Sequence, residues 1–358
     1  MIVGICGYGN SGASAVIDYL KQYDEIEVYD FNFLHSEFQI IHEVDGINDL
    51  KYHLTKSCDR IACNTAIKRF KRLLEFGKWG IGMRATIGEK YDQWCKSFLS
   101  EIIVSSWKGK NSSFDADDIR NDSKYRRIRY IERKVDKIIN KFNCKWNYPP
   151  KQIKYFSILS EADFDVIANK YLNILFAYLK IDKDKINVID QLFSSTKASL
   201  GMEFFEGAKN IVVVRDPRDV YATSQLHRED SRFMPNYDVQ EFIKYYRVLN
   251  SSIERSANTL IIQYEDMIYR YDATSRIITG FLGLQTNPKR EFELFSPLIS
   301  VKYTNRVSLY EIVAEDISII EKELSEYLYN FESLQSPIED INLKSRTKNV
   351  MYKGWNIK

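Results

Sequence analysis

Glycine and proline are scarce in this chain, at 15 and 7 of 358 residues, which argues against a loop-rich sandwich or a collagen-like repeat and for long helices. Histidine is scarcer still, at 4, and the 5 cysteines (Cys6, Cys58, Cys63, Cys95, Cys144) are scattered without a C-x-x-C pair. No zinc-ligand spacing can be assembled from them, and no metal is expected. An odd, dispersed set reads as small buried hydrophobes in a reducing compartment. No run approaches the ~18–20 apolar residues that a bilayer crossing requires. Met1–Cys6 lacks a basic n-region and reads as a strand rather than a signal peptide, so a cytoplasmic protein is expected. A surplus of one charge is also lacking. Lys+Arg 51 against Asp+Glu 49 leaves +2, so any bound anion is held at a local site and a general nucleic-acid coat is excluded.

What is present is an ordinary globular mixture, 44% hydrophobic and 28% charged, with a high aromatic share of 14%. The first six residues form a short apolar run, followed by a glycine-rich turn and then a helical pattern over Ala15–Leu20. Glu25–Phe31 reads as a second strand. Asn187–Asp190, Asn210–Val214 and Thr259–Tyr264 are short apolar runs between helical stretches, the signature of strands buried in a parallel sheet. From about 50 to 185 the pattern is mostly helical, with breaks at 77–88 and 148–150. The expected fold is therefore α/β: a P-loop-type parallel sheet flanked by helices, with a long, mostly helical insertion. Residues 1–50 and 186–335 would form the core, 51–185 the insertion, and 336–358 a C-terminal tail.

Gly7-x-x-x-x-Gly12-Ala13-Ser14 has the spacing of a Walker A loop, with Ala13 in place of the lysine. Gly7, Gly9 and Gly12 allow the backbone to fold around an oxyanion, and the amides that open the following helix point at it. Ser11 and Ser14 add hydroxyl donors. A turn that binds nothing is the plainer alternative. Without the lysine nothing neutralises a γ-phosphate, which argues against an ordinary ATPase, GTPase or kinase. A second motif follows the strand at 210–214: Arg215-Asp216-Pro217-Arg218-Asp219, with Asp216 a natural N-cap and Pro217 suited to a first helical turn. Thr223 lies eight residues after Arg215, with Ser224 beside it. An arginine and a helix-borne hydroxyl suit a phosphate monoester.

This second run resembles the 3′-phosphate-binding motif of the sulfotransferase family. Asn258–Met267, which contains Tyr264-Glu265-Asp266, and Ile277–Leu284, ending in Phe281-Leu282-Gly283-Leu284, are similar to that family's later strand and helix end. The loop at 7–14 is similar to its phosphosulfate loop, G-x-P-[KR]-S-G-[TA]-[ST]. The likeness covers roughly residues 1–40 and 187–330 and is to the soluble, bacterial-type members. It implies 3′-phosphoadenosine-5′-phosphosulfate as donor, adenosine 3′,5′-bisphosphate as product, and sulfuryl transfer to a hydroxyl of a carbohydrate or lipid-linked glycan. Gly7, Gly9, Asn10, Ser11, Gly12, Ala13 and Ser14 would hold the 5′ side, and Arg215, Thr223 and Ser224 the 3′-phosphate.

The chain departs from the family where Lys or Arg precedes Ser-Gly, since that position is Asn10, and the preceding proline is Gly9. A neutral amide stabilises a charged bridging oxygen less than a cation does. Arg69, Arg84, Arg218 or Lys302 would have to supply the charge. The alternatives are a different nucleotide donor with phosphoryl-type transfer, or a catalytically degenerate nucleotide-binding protein. The resemblance implies a catalytic base after the second strand, where His35 and Glu37 stand. Between 120 and 145 lies a basic amphipathic segment suited to an anionic acceptor or to peripheral contact with the inner membrane face. Trp79, Trp94, Trp107 and Trp146 are candidates for stacking on sugar rings, although such aromatics more often belong to a core.

Overall fold

A computed structural model of the chain describes residues 1–109, 127, 130–131, 133–135, 137–138, 152–182, 184–226, 233–289 and 291–331. The tail at 336–358, Trp146 and much of the basic segment 120–145 lie outside these residues. The chain divides into two compact units, Met1–Phe33 with Ile181–Lys358, and Leu34–Lys180.

The first unit carries the expected α/β fold. Strands β1 (Ile2–Gly7), β2 (Ile26–Tyr29), β3 (Ile186–Asp190), β4 (Lys209–Val214) and β5 (Thr259–Gln263) form one sheet in the order β2-β3-β1-β4-β5. Every pairing in it is parallel. The strands are short runs of Val and Ile because both faces are covered. Helices α1 (Ala13–Leu20), α2 (Pro217–Leu226), α3 (Val239–Ser251), α4 (Tyr271–Leu282) and α5 (Ala314–Glu323) supply the cover. Val16, Ile17 and Leu20 of α1 and Ile278 and Leu282 of α4 share one cluster with Val3, Ile5, Val213 and Ile262. Tyr221, Phe242, Tyr246 and Ile320 join α2, α3 and α5 in another. Glu25–Phe31 does not stay extended to its end. Asp30 Oδ1 accepts the Phe33 amide at 3.1 Å and turns the chain into a short helix at Phe31–Leu34.

Register fixes where the site falls. Gly7 lies opposite Val213, so β1 and β4 end together and their following loops leave from the same carboxyl edge.

The second unit is mostly helical, with helices at Arg60–Phe76, Lys78–Ile87, Glu89–Ile102 and Glu161–Tyr178. Asp59 and Ser160 cap two of them through side-chain oxygens. An antiparallel ribbon, Ser105–Gly109 with Gln152–Phe156, interrupts the helices and was not expected from the sequence. Residues 34–50, grouped by the sequence pattern with the sheet, belong to this unit. Phe38 is fully buried with its ring edge-on to Trp79 and Phe176, at 5.9 and 5.8 Å. Trp79 and Trp94 are core residues, each 1% exposed, whereas Trp107 is 43% exposed. Cys6, Cys58, Cys63 and Cys95 are unpaired. Among the described residues no helix is long and apolar enough to cross a membrane.

Candidate functional site

The loop after β1 is built for backbone, not side chains. A Cβ on Gly7 would collide with Ser11 Oγ and lie 2.9 Å from the Val213 carbonyl, so only glycine lets the chain fold back over the strand end. Gly12 has φ 88°, a left-handed conformation, and a Cβ there would strike the Tyr264 ring. Helix α1 starts immediately after Gly12 with no side-chain cap and no acidic residue in its first turn. Its opening amides therefore have no anionic partner from the helix itself. Ser11 is 2% exposed, and its Oγ, lying inside the loop over Gly7, is buried without a hydrogen-bond partner. An orphaned hydroxyl within a glycine cradle fits an oxyanion. Gly9 is exposed on the loop and Ser14 on the first turn of α1.

Asn10 sits at φ 63°. Among non-glycine residues, asparagine is several-fold enriched in this left-handed region, a local reason for asparagine where the motif has a cation.

The turn after β4 is tied to the loop through Arg215. Its Nη1 donates to the Asn10 carbonyl at 2.9 Å, its Nη2 to the Tyr303 carbonyl, and its guanidinium lies 5.1 Å from the centre of the Tyr264 ring. The Arg215 amide donates to Tyr8 Oη at 3.0 Å, and its carbonyl accepts from Tyr246 Oη at 2.5 Å. Burial pushes the Tyr8 phenol up to about 12, so it stays protonated near neutral pH. Only 6% of Arg215 is exposed, and Nε is its one buried donor without a partner. Asp216 acts as the N-cap of α2, accepting the Arg218 amide at 2.8 Å. Its other oxygen pairs with Arg218 Nη2 at 2.8 Å, and Arg218 also reaches Glu321 at 3.0 Å. Glu265, fully buried, accepts the Asp216 amide, and burial raises its carboxyl to about 8.

The segment after the short helix at Pro297–Ser300 completes the edge. Asp219 Oδ2 and Oδ1 accept the amides of Asn305 and Arg306 at 2.9 and 3.1 Å. Arg306 Nη1 then lies 3.4 Å from Thr223 Oγ1. No carboxylate pairs with Arg306 or Lys302 among the described residues, and Lys302 Nζ rests 4.9 Å from the centre of the Tyr303 ring.

The structure thus brings together Gly7–Ser14, Arg215 and Thr223 on one carboxyl edge. Ser224 is not on that surface. It is fully buried and donates to the Tyr221 carbonyl at 2.7 Å, because α2 turns that face onto the core. Arg215 points inward to backbone carbonyls rather than presenting an open fork. Arg306 was missed, since it lies in no recognisable motif. The only signal for it was a stretch, 301–310, carrying Lys302 and Arg306 and no acid. His35 and Glu37 belong to the helical unit. His35 is exposed at φ 53°, and Glu37 accepts the Gln39 side-chain amide at 2.6 Å.

No family model matches the chain, and no curated protein matches it. Among solved structures it is similar to a sulfotransferase domain from the curacin biosynthetic pathway, at 19% identity and a TM-score of 0.27, over 39% of this chain and 54% of that one. It therefore spans about half the length of that domain. It is also similar to a sulfotransferase domain of the Synechococcus olefin synthase, at 15% identity and 0.38, over 98% and 95% of the two chains. A sulfotransferase from Mycobacterium avium matches at 12% identity and 0.33, over 89% and 76%. Scores and identities of this size assign no function, which has to come from the site's own residues.

Proposed function

We propose that the carboxyl edge of β1 and β4 binds 3′-phosphoadenosine-5′-phosphosulfate and that the chain is a sulfotransferase acting on a hydroxyl of a carbohydrate or lipid-linked glycan. The observation that carries this reading is the pairing of two phosphate-type sites on one edge. One is the glycine cradle with the orphaned Ser11 Oγ at the uncapped start of α1. The other is Thr223 with Arg306, a hydroxyl and a guanidinium free of any carboxylate among the described residues. A nucleotide with phosphates on both its 5′ and 3′ oxygens uses both sites, and ATP uses one.

The bound donor would supply an activated sulfuryl group: its bridging S–O bond would break, the bisphosphate would leave with the electron pair, and the acceptor oxygen would bond to sulfur as its proton passes to a general base, the role for which His35 and Glu37 are the candidates. The chain's own task is to orient the two ends and to offset charge on the bridging oxygen. Asn10 offers no positive charge for this. Arg218 is held by Asp216 and Glu321, while Arg69 and Arg84 belong to the helical unit and face Asp45 and Asp92. Among the described residues Lys302 has no carboxylate partner, and the Arg215 side chain ties the neighbouring Tyr303 carbonyl to that of Asn10. Lys302 is therefore assigned the role of the missing loop cation. A cytoplasmic setting agrees with the cysteine usage, and the basic segment 120–145 would meet an anionic acceptor.

Incubating the chain with sulfur-labelled donor and a panel of glycans tests the reaction. Label is expected to pass to a glycan, with adenosine 3′,5′-bisphosphate formed in equal amount. Label retained on the donor across the panel, with phosphoryl transfer from another nucleotide instead, would favour the phosphotransferase alternative.

A further inference from the structure

The Arg215-Asp216-Pro217-Arg218-Asp219 turn resembles a 3′-phosphate-binding motif, but its charged side chains are engaged by protein. Asp219 is the clearest case. It is fully buried, and its carboxylate is met by three donors: the amides of Asn305 and Arg306, and Tyr310 Oη at 2.7 Å. Two consecutive backbone amides directed at one carboxylate form an anion-holding nest. The nest depends on Asn305 at φ 48°, a left-handed residue. The carboxylate thus holds the backbone of Arg306 without neutralising its guanidinium. Asp219 and Thr223 stand four apart on α2, on one helix face. One holds the Arg306 main chain while the other meets its side chain. Arg215 works on the same turn from the other side by donating to the Tyr303 carbonyl. Thr304 is fixed as well, through Tyr269 Oη at 2.8 Å.

We propose that Asp219 is a positioning residue whose carboxylate holds the turn at 303–306 so that Arg306 is aimed, with its charge free, at a 3′-phosphate on Thr223. The proposal rests on the donor reading above and deepens it. The preference for a 3′-phosphorylated nucleotide is set by a carboxylate that never touches the nucleotide. An acid beside an anion site would otherwise oppose binding. Here its charge is answered by backbone amides and a phenol, and the cation faces outward.

The test is calorimetric titration of adenosine 3′,5′-bisphosphate and of ADP into wild type, Asp219→Asn, Asp219→Ala, Tyr310→Phe and Arg306→Ala, with thermal unfolding of each as a check on folding. Wild type is expected to prefer the bisphosphate. Both Asp219 variants are expected to lose about tenfold or more of that preference while ADP affinity stays within about twofold, the size of one charged hydrogen bond. Tyr310→Phe leaves the carboxylate in place and is expected to lose only about two- to threefold. In Asp219→Asn/Arg306→Ala the losses are expected not to add, because both act through the same guanidinium. General loosening would weaken both nucleotides together and leave their ratio unmoved, which contradicts the proposal. A wild-type preference kept intact by the Asp219→Asn and Tyr310→Phe proteins overturns the inference alone. A wild type that does not distinguish the two nucleotides overturns the donor reading and this inference with it.

Discussion

Replacing Lys302 by alanine is expected to lower the turnover of sulfuryl transfer by about 10²–10³-fold, the usual cost of removing a preorganised charge stabiliser. Affinity for the intact donor, 3′-phosphoadenosine-5′-phosphosulfate, should change by no more than about twofold to threefold, because the full charge reaches the bridging oxygen only as the bond to sulfur breaks, whereas the released bisphosphate carries that charge and should bind the variant less tightly. The ammonium is exposed and rests on the Tyr303 ring, so the substitution removes little packing. Steady-state kinetics alongside a binding titration separates the two effects. Arginine at 302 should restore part of the rate. An unchanged turnover in the alanine variant would mean that the loop acts without a cation, or that another residue supplies it.

The second large effect is expected in binding. Arg306→Ala should weaken adenosine 3′,5′-bisphosphate by about 10- to 150-fold, since an Arg–phosphate hydrogen bond contributes about 1.5–3 kcal/mol. Affinity for ADP, which has no 3′-phosphate, should hardly change. Thr223→Val should act in the same direction but less, because a neutral hydroxyl is the weaker partner. Titration of both nucleotides into both variants is the check. Equal loss for ADP would place Arg306 elsewhere in the mechanism or in the fold.

Both predictions concern residues on a segment that no motif marks. The sheet was legible because buried parallel strands announce themselves: Ile2–Gly7, Ile186–Asp190, Lys209–Val214 and Thr259–Gln263 are short, mostly apolar stretches rich in Ile and Val and bounded by glycine or polar residues. The phosphate loop was legible for a different reason. Gly7 and Gly12 stand where a side chain would strike Ser11 or Tyr264, and spacing alone reports such a constraint.

What stayed hidden depends on which way a side chain turns after folding. The sequence places Arg215 at the end of a strand, and an arginine there can reach out or in. The Asn10 and Tyr303 carbonyls, brought near by tertiary folding, draw it in. Thr223 and Ser224 are adjacent, but one helical step separates a half-buried hydroxyl from one lost in the core. Arg306 lies 83 residues beyond Thr223, so only the folded chain could connect them. The ribbon at 105–109 and 152–156 was hidden because its first strand, Ser105–Gly109, carries little strand signal beyond Trp107, and its partner, Gln152–Phe156, lies more than 40 residues away in the sequence. The aromatic share, which fitted a sugar cleft but more often belongs to a core, resolves for Trp79 and Trp94 as core.

The central claim is that one edge of the sheet accepts a nucleotide by two phosphates at once. It is tested most directly by titrating adenosine 3′,5′-bisphosphate, ADP and ATP into the unmodified chain under one set of conditions. The account predicts that the bisphosphate binds at least about tenfold more tightly than either of the others, the least that a charged contact to the 3′-phosphate should add. ADP or ATP binding as tightly as the bisphosphate would contradict it.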